Sequence, residues 1–211
     1  VTDAAAFDPQ PVTLEGRFVR LEPVAVPHAA DLFEAGRDDS IWRFMPRPAF
    51  ERMEDAQGWI ERTLDDASPG VQIPFAVIDR SSGRAVGSTR YLNIRRAHRG
   101  PEIGWTWLAV AHQRTAANTE CKLLLLGHAF DRLGAIRVEF KTDGRNERSQ
   151  RALEQIGAVR EGVLRHHMIM WDGHVRDSVY FGIIASEWPV VRERLEARLA
   201  RRGTAVSAAK E

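Results

Sequence analysis

The sequence predicts an α/β fold: a single domain built on a mixed β-sheet with helices against it. Three observations lead there. The 211 residues suit one domain of ordinary size, able to bury roughly 70% of the surface its unfolded chain exposes. Segments with an apolar residue at every second position alternate with segments of helical spacing along most of the chain. No internal repeat of solenoid type interrupts them.

Each element has its own local signal. Phe18-Val19-Arg20-Leu21-Glu22 alternates apolar and polar side chains and predicts the first strand. Pro27 suits a first helical turn and opens a helix over His28–Ala35. A second helix runs over Met53–Leu64 and is closed by Ser68-Pro69-Gly70. Pro74–Asp79, the turn Ser81-Ser82-Gly83 and Ala85–Leu92 read as strand, hairpin turn and strand. Gly100-Pro101 precedes a strand over Glu102–Leu108, then a helix over Asn118–Leu133 and a strand over Ile136–Lys141. Asp143-Gly144 turns the chain into a helix over Asn146–Ile156, which Gly157 stops. Strands over Gly162–Met170 and Ser178–Ile184 meet at Asp172-Gly173. An amphipathic helix over Glu187–Arg201 completes the order β-α-α-β-β-β-α-β-α-β-β, an α/β pattern. Residues 1–12 read as a flexible N-terminal segment and 203–211 as a disordered tail, leaving 13–202 as the domain.

Composition removes several function classes. A net charge of +1 provides no field for holding nucleic acid. The basic residues are 27 Arg and 3 Lys, a bias read as genomic base composition. No apolar run approaches the ~18 residues of a membrane span. The single cysteine, Cys121, excludes an intrachain disulfide and a thiolate-rich zinc site, and fits a reducing compartment. His166-His167 have no third ligand at usable spacing, so no metal is expected. Val1-Thr2-Asp3-Ala4 does not begin a basic-then-apolar leader, and the cytoplasm is the expected location.

Three segments carry candidate chemistry. Strict alternation along Glu102–Leu108 puts Ile103, Trp105 and Trp107 on one face and Glu102, Gly104, Thr106 and Leu108 on the other. The second face is either solvated or the wall of a polar cavity headed by a carboxylate. The small-residue loop Gln113-Arg114-Thr115-Ala116-Ala117-Asn118-Thr119 feeds a helix N-terminus, whose unpaired N–H groups and dipole suit a phosphate. Arg114 could add a bidentate contact, and Asn118 or Thr119 could instead simply cap the helix. Asn146, Ser149, Leu153 and Ile156 share a helix face, so a core-facing Leu153 and Ile156 turn Asn146 and Ser149 inward. The alternative is an Asn N-cap and a Ser bonded to its own helix.

In this order Glu102-Ile103-Gly104-Trp105-Thr106, the Gln113–Asn118 loop, Asn146-Glu147-Arg148-Ser149, and Gly157-Ala158 with Arg160-Glu161-Gly162 after it resemble the GNAT (GCN5-related N-acetyltransferase) superfamily. Within it they are similar to the RimJ/RimL-like group, which acetylates ribosomal-protein N-termini. The resemblance covers about residues 12–190. It implies a central splayed sheet whose strands Glu102–Leu108 and Ile136–Lys141 part to admit the pantetheine arm of acetyl-CoA or a related acyl-CoA. It further implies that backbone groups of Leu108, Ala109 and Val110 pair with the pantetheine amides. Gln113 and the backbone N–H groups of Arg114, Thr115, Ala116, Ala117, Asn118 and Thr119 would form the pyrophosphate loop, and Asn146 would hold the pantetheine arm. Glu102 would take a proton from the acceptor ammonium and Ser149 would serve the departing thiolate. The region of the first helices, which walls the acceptor site in this family, brings in Trp42 and Phe44 as acceptor contacts. The implied acceptor is a primary amine, of a protein N-terminus or of a small molecule; a non-catalytic acyl-CoA-binding module is the alternative from another class. Edge strands and the late hairpin, with the resemblance, imply a homodimer. Two departures stand out. Ala116 and Asn118 occupy positions where the superfamily keeps glycines, and Ala adopts φ > 0 reluctantly. Leu153 stands where many members place a tyrosine acid.

Overall fold

The computed structural model describes residues 7–68 and 70–208. Five helices flank a mixed sheet of eight strands in the order β1-β2-β3-β4-β5-β6-β8-β7. The strands are β1 (Leu14–Glu15), β2 (Val19–Pro23), β3 (Ile73–Asp79), β4 (Ala85–Arg95), β5 (Gly100–Leu108), β6 (Arg137–Asp143), β7 (Val159–Ile169) and β8 (Val175–Ile184). All neighbours are antiparallel except β5 and β6. The helices are α1 (Ala29–Ala35), α2 (Met53–Ala67), α3 (Ala117–Gly127), α4 (Glu147–Ile156) and α5 (Trp188–Ala208). Among the described residues no helix is long and apolar enough to cross a membrane.

Every expected helix and strand forms, with differences at the ends. A short β1 joins the edge of the sheet. The helix expected to reach Leu133 changes to a π-turn over His128–Arg132. The last helix runs on to Ala208 through part of the segment expected as a tail; 209–211 lie outside the described residues. At the other end 1–6 also lie outside them, but Phe7 is 3% exposed in the core and Asp8 accepts from Arg96 Nε at 2.7 Å. The segment expected to be flexible is thus anchored from Phe7 onward. Of the expected stop after α2, Ser68 caps the helix and Pro69 lies outside the described residues.

Two apolar layers hold the sheet. On one face Val138, Phe140, Val179, Phe181 and Ile183 pack with Cys121, Leu125 and Leu126 of α3, Leu153 and Ile156 of α4, and Val191 and Leu195 of α5. On the other face α1 and α2 close over Ala76, Ile78 and Trp107, where Trp42, Phe50, Trp59 and Trp107 meet at ring-centroid distances of 5.0–6.1 Å. Glu120 ties α3 to the start of β2. Its buried carboxylate accepts from the N–H groups of Arg17, Phe18 and Val19 at 2.6–2.8 Å, which supplies the partners a buried charge requires.

The expected common face for Ile103, Trp105 and Trp107 does not form. Ser88 pairs with Trp107 but Arg90 pairs with Gly104, so Trp105 and Thr106 together oppose one residue of β4. This is a β-bulge, with Trp105 in the left-handed region at φ 49°. One extra residue reverses the alternation. Ile103 and Leu108 join the core on the α3 side, while Trp107 joins the α1–α2 side.

Candidate active site

β5 and β6 run parallel and are paired in register only at Glu102 and Glu139, after which they diverge. A cavity of about 780 Å³ fills the opening. Its α3-side wall includes Asn118, Thr119 and Lys122, together with Asn146, Ser149 and Leu153 from the start of α4. On the other side the loop between α1 and α2 contributes Arg43 and Phe44.

Glu102 sits where the strands part, 2% exposed, with its carboxylate at the cavity. Asn93 Nδ2 donates to Glu102 Oε2 at 2.8 Å, and Lys141 Nζ lies 3.7 Å from the same oxygen. One carboxylate oxygen is therefore held by β4 and β6, leaving Oε1 without a hydrogen bond among the described residues. Asn93 reaches it from a left-handed backbone position, φ 49°, a conformation that Asn tolerates better than most residues.

The loop between β5 and α3 is braced by Gln113. Its Nε2 donates to the Leu108 carbonyl at 3.1 Å and its Oε1 accepts from Arg148 of α4 at 3.1 Å, joining loop, strand end and second helix. Ala116 has φ −68° and ψ −24°, ordinary right-handed values at the start of α3. The strain anticipated for an alanine in a glycine position is absent, because the left-handed residue of this loop is Arg114 at φ 60°. Thr115 Oγ1 accepts from the Ala117 N–H at 3.2 Å. Helix geometry leaves Asn118 and Thr119 with N–H groups that have no intrahelical acceptor.

Asn146 caps α4 through Oδ1, which accepts from the Ser149 N–H at 3.0 Å. The capping reading of Asn146 is therefore correct, and its amide Nδ2 remains as a donor at the cavity wall. Ser149 is half-buried, and among the described residues its hydroxyl makes no hydrogen bond to its own helix.

Ten of the expected site residues line this one cavity: Glu102 and Ser149; Leu108, Gln113, Arg114, Thr115, Asn118, Thr119 and Asn146; and Phe44. Ala109, Val110, Ala116 and Ala117 do not line it. The Ala109 N–H is committed to the Val86 carbonyl at 2.8 Å, so strand alternation turns the polar groups of Leu108, and not those of Ala109, toward the opening. Trp42 is a correction. It is 1% exposed, packs on Phe50 and Trp107, and donates from Nε1 to the Gly36 carbonyl at 2.7 Å. It belongs to the core beneath the α1–α2 loop, and Phe44 is the aromatic that reaches the cavity.

Residues 19–159 match the family model described as Acetyltransferase (GNAT) domain. The chain belongs to the GNAT acetyltransferase family. In Bacillus subtilis (strain 168) it is similar to "Uncharacterized N-acetyltransferase YoaA", 24% identical over 156 residues that cover 74% of this chain and 87% of that one. In the same organism it is 29% identical over 106 residues to "Putative ribosomal N-acetyltransferase YdaF", covering 50% of this chain and 57% of that one. A GCN5-related N-acetyltransferase of known structure from Brucella melitensis superposes with a TM-score of 0.84 at 31% identity, covering 91% of this chain and 87% of that one. The RimJ/RimL-like resemblance of the motifs agrees with these relatives. GNAT enzymes use acetyl-CoA as co-substrate, and the phosphate-facing end of the cavity fits such a group: Arg114 and Arg148 stand beside the open first turn of α3.

Sequence reasoning missed four charged residues of this GNAT site. Lys122 of α3 is buried, donates to Thr106 Oγ1 at 3.1 Å and lies over the Phe140 ring; burial pushes its pKa down to about 8. Lys141 stands beside Glu102. Burial pushes the Asp143 carboxyl up, but hydrogen bonds from Arg145 outweigh it and hold the group below its usual value. Arg176 of β8 is 5% exposed. A signal for two of the four was available: in a chain with 27 Arg, two of the 3 Lys line the cavity, where a compact ammonium is not interchangeable with a guanidinium. Among the described residues no cluster of three His, Cys, Asp or Glu side chains could hold a metal ion.

Proposed function

We propose that the protein transfers an acetyl or related acyl group from acyl-CoA to a primary amine by direct attack in a ternary complex. One observation carries this reading. Glu102 and Ser149 face the same cavity from different elements, on the two sides of the parted strands. Bound acyl-CoA supplies the thioester; the chain supplies position and protons. Leu108 and Asn146 orient the pantetheine arm, and the loop at Arg114–Thr119 with the first turn of α3 holds the pyrophosphate. Glu102 Oε1 takes the proton from the acceptor ammonium, which must be neutral to attack, and Ser149 donates toward the departing sulfur. A covalent detour through Cys121 is unsupported. Burial pushes that thiol up to about 12, and it is fully enclosed in the α3 core and does not line the cavity.

The name of YdaF favours a protein N-terminus as acceptor, with a small-molecule amine as the second reading. The same reading places the protein in the cytoplasm and in a homodimer. The exposed Val163, Leu164, Ile169 and Trp171 of the β7–β8 hairpin support the dimer.

The test is thiol release from acetyl-CoA and succinyl-CoA with a panel of amines and N-terminal peptides, with products read by mass spectrometry. CoA in excess should also raise the melting temperature by mass action. CoA binding without acylation of any amine would leave a binding module and sink the catalytic reading.

A further inference from the structure

We infer that the acceptor carries a carboxylate, and that Arg176 holds it. The inference rests on the acyl-transfer reading above and names the substrate class for the same site.

The two faces of the sheet divide the cavity. Val179, Phe181 and Ile183 of β8 point into the core on the α3 side. Ser178, Tyr180 and Gly182 therefore face the opposite way, and Arg176, two residues before Ser178 on the same strand, lines the cavity with Glu102. Glu102 and Lys141 lie on that same face, since their neighbours Ile103 and Phe140 point to the α3 core. The phosphate loop and α4 serve the α3 side. Arg176 thus stands with Glu102 on the side left for the acceptor, with Phe44 and Arg43 across the cavity.

Arg176 is 5% exposed and lines the cavity, yet among the described residues its side chain makes no hydrogen bond or ion pair, and its buried Nε has no acceptor. The Asp143 and Glu102 carboxylates attract it through space, but neither is in ion-pair contact with it: Asp143 accepts from Arg145 through both oxygens, and Glu102 Oε2 is engaged by Asn93 and Lys141. A guanidinium does not shed its proton in a protein, so a buried one lacking an anion is poorly compensated. A carboxylate with two parallel oxygens is the planar, bidentate partner it is shaped for. The wider cavity agrees. Eight Lys and Arg side chains line it against three Asp and Glu, and those at the phosphate loop account for only part of the excess. An acceptor with an ammonium at Glu102 and its own carboxylate at Arg176 satisfies both.

Two sources share this chemistry: a free amino acid, or an acidic residue next to a polypeptide N-terminus. The experiment uses matched probes for each, ω-amino acids of increasing chain length against their amides, and the tripeptides Ser-Glu-Ala against Ser-Gln-Ala. Acylation with acetyl-CoA and with succinyl-CoA is measured for wild type, Arg176→Gln and Arg176→Lys, and binding of the same probes to CoA-saturated protein by calorimetry. In one series the acid should be preferred in kcat/KM by roughly 10- to 100-fold, the scale of a charged hydrogen-bonded contact. Arg176→Gln should erase that preference by raising KM for the acid, and Arg176→Lys should restore part of it. Melting temperature checks that each variant is folded, and Arg176→Lys retains the charge should Arg176→Gln fail to fold. Equal use of acid and amide by wild type, or a preference that survives Arg176→Gln, overturns the inference. So does a change confined to succinyl-CoA against acetyl-CoA, which would put the anion on the acyl group. Absence of any acylation refutes the acyl-transfer reading instead, and calorimetric discrimination between acid and amide then still decides the role of Arg176.

Discussion

Lys122→Met should make the protein more stable at neutral pH, an unusual outcome for a side chain lining an active-site cavity. Among the described residues Lys122 has no carboxylate within ion-pairing distance; its neighbours include Thr106 Oγ1 at 3.1 Å and the Phe140 ring at 5.4 Å. Burial lowers its pKa from 10.5 to about 8, which corresponds to about 3 kcal/mol of cost for holding the charge inside. Below pH 8 the lysine is charged in both folded and unfolded chains, so the cost is fully present. Between pH 8 and 10.5 the unfolded chain binds the extra proton, and stability rises with pH. Above that window the cost is gone. Methionine keeps the length and removes the charge, but forfeits the bond to Thr106, worth about 1 kcal/mol; Thr106 retains its bond to Thr89 at 2.8 Å. The net gain at pH 7 is about 2 kcal/mol, or about 4–8 °C in Tm for a chain of this size. At pH 10 the gain should fall to zero or reverse. Urea unfolding of both proteins at pH 7, 8.5 and 10, which starts below the window and covers most of it, reads the difference and cancels other titrating groups. A variant less stable at pH 7, or a difference that does not change with pH, refutes the argument.

Glu102→Gln keeps the shape and the Asn93 contact, and should lower turnover roughly 10²- to 10⁴-fold with little change in CoA affinity, read by steady-state kinetics and calorimetry. Near-full activity at neutral pH would remove Glu102 as the base. Ser149→Ala should lower kcat and kcat/KM for the acyl-CoA together, because a bond to sulfur strengthens only as thiolate develops. Since the hydroxyl makes no bond to its helix and alanine is the better helix former, its melting temperature should hold or rise; normal turnover returns Ser149 to a structural role. Trp42→Phe should cost about 1–3 kcal/mol through the lost bond to the Gly36 carbonyl and lost packing, with acceptor KM unchanged. Phe44→Ala should do the opposite, and a raised KM in Trp42→Phe would reinstate Trp42 as a substrate contact.

The elements were legible because their signals are local. Period-two runs became β2, β3, β4 and β8, and Gly157, at φ 99°, ends α4 in the left-handed turn that glycine tolerates. Asn146, Ser149, Leu153 and Ile156 were correctly read as one face, because helical spacing fixes it and Leu153 and Ile156 are anchored in the core. The Gln113–Asn118 loop was misread in conformation: the resemblance put the left-handed demand on Ala116, whereas the backbone puts it on Arg114. Trp42 and Phe44 are two residues apart and were indistinguishable by type. Only the turn between them, with Trp42 bonded back to Gly36, decides which ring is core and which is wall. Arg176 was illegible for a different reason. Its role depends on β8 lying beside β6, a non-local pairing that no window of sequence contains.

The bulge at Trp105 is where misreading the alternation matters most for function. In a regular strand Glu102, Thr106 and Leu108 would share a face. The carboxylate and the strand end that leads into the phosphate loop would then compete for the same side of the sheet. With the extra residue, Leu108 turns to the α3 side while Glu102 stays on the other. In the proposed reaction the donor's machinery and the acceptor's base would thereby lie on opposite faces of one strand, with the gap between β5 and β6 where the two sides meet. Direct attack requires that arrangement, since amine and thioester must approach the same point without displacing each other. Backbone strain at a non-glycine residue costs about 1–3 kcal/mol and persists only where the surroundings hold it. Here Arg90 lies over the Trp105 ring at 4.8 Å and Thr106 is bonded to both Thr89 and Lys122. The contacts that fix the bulge thus include the buried lysine itself, which gives its unfavourable burial a structural counterpart.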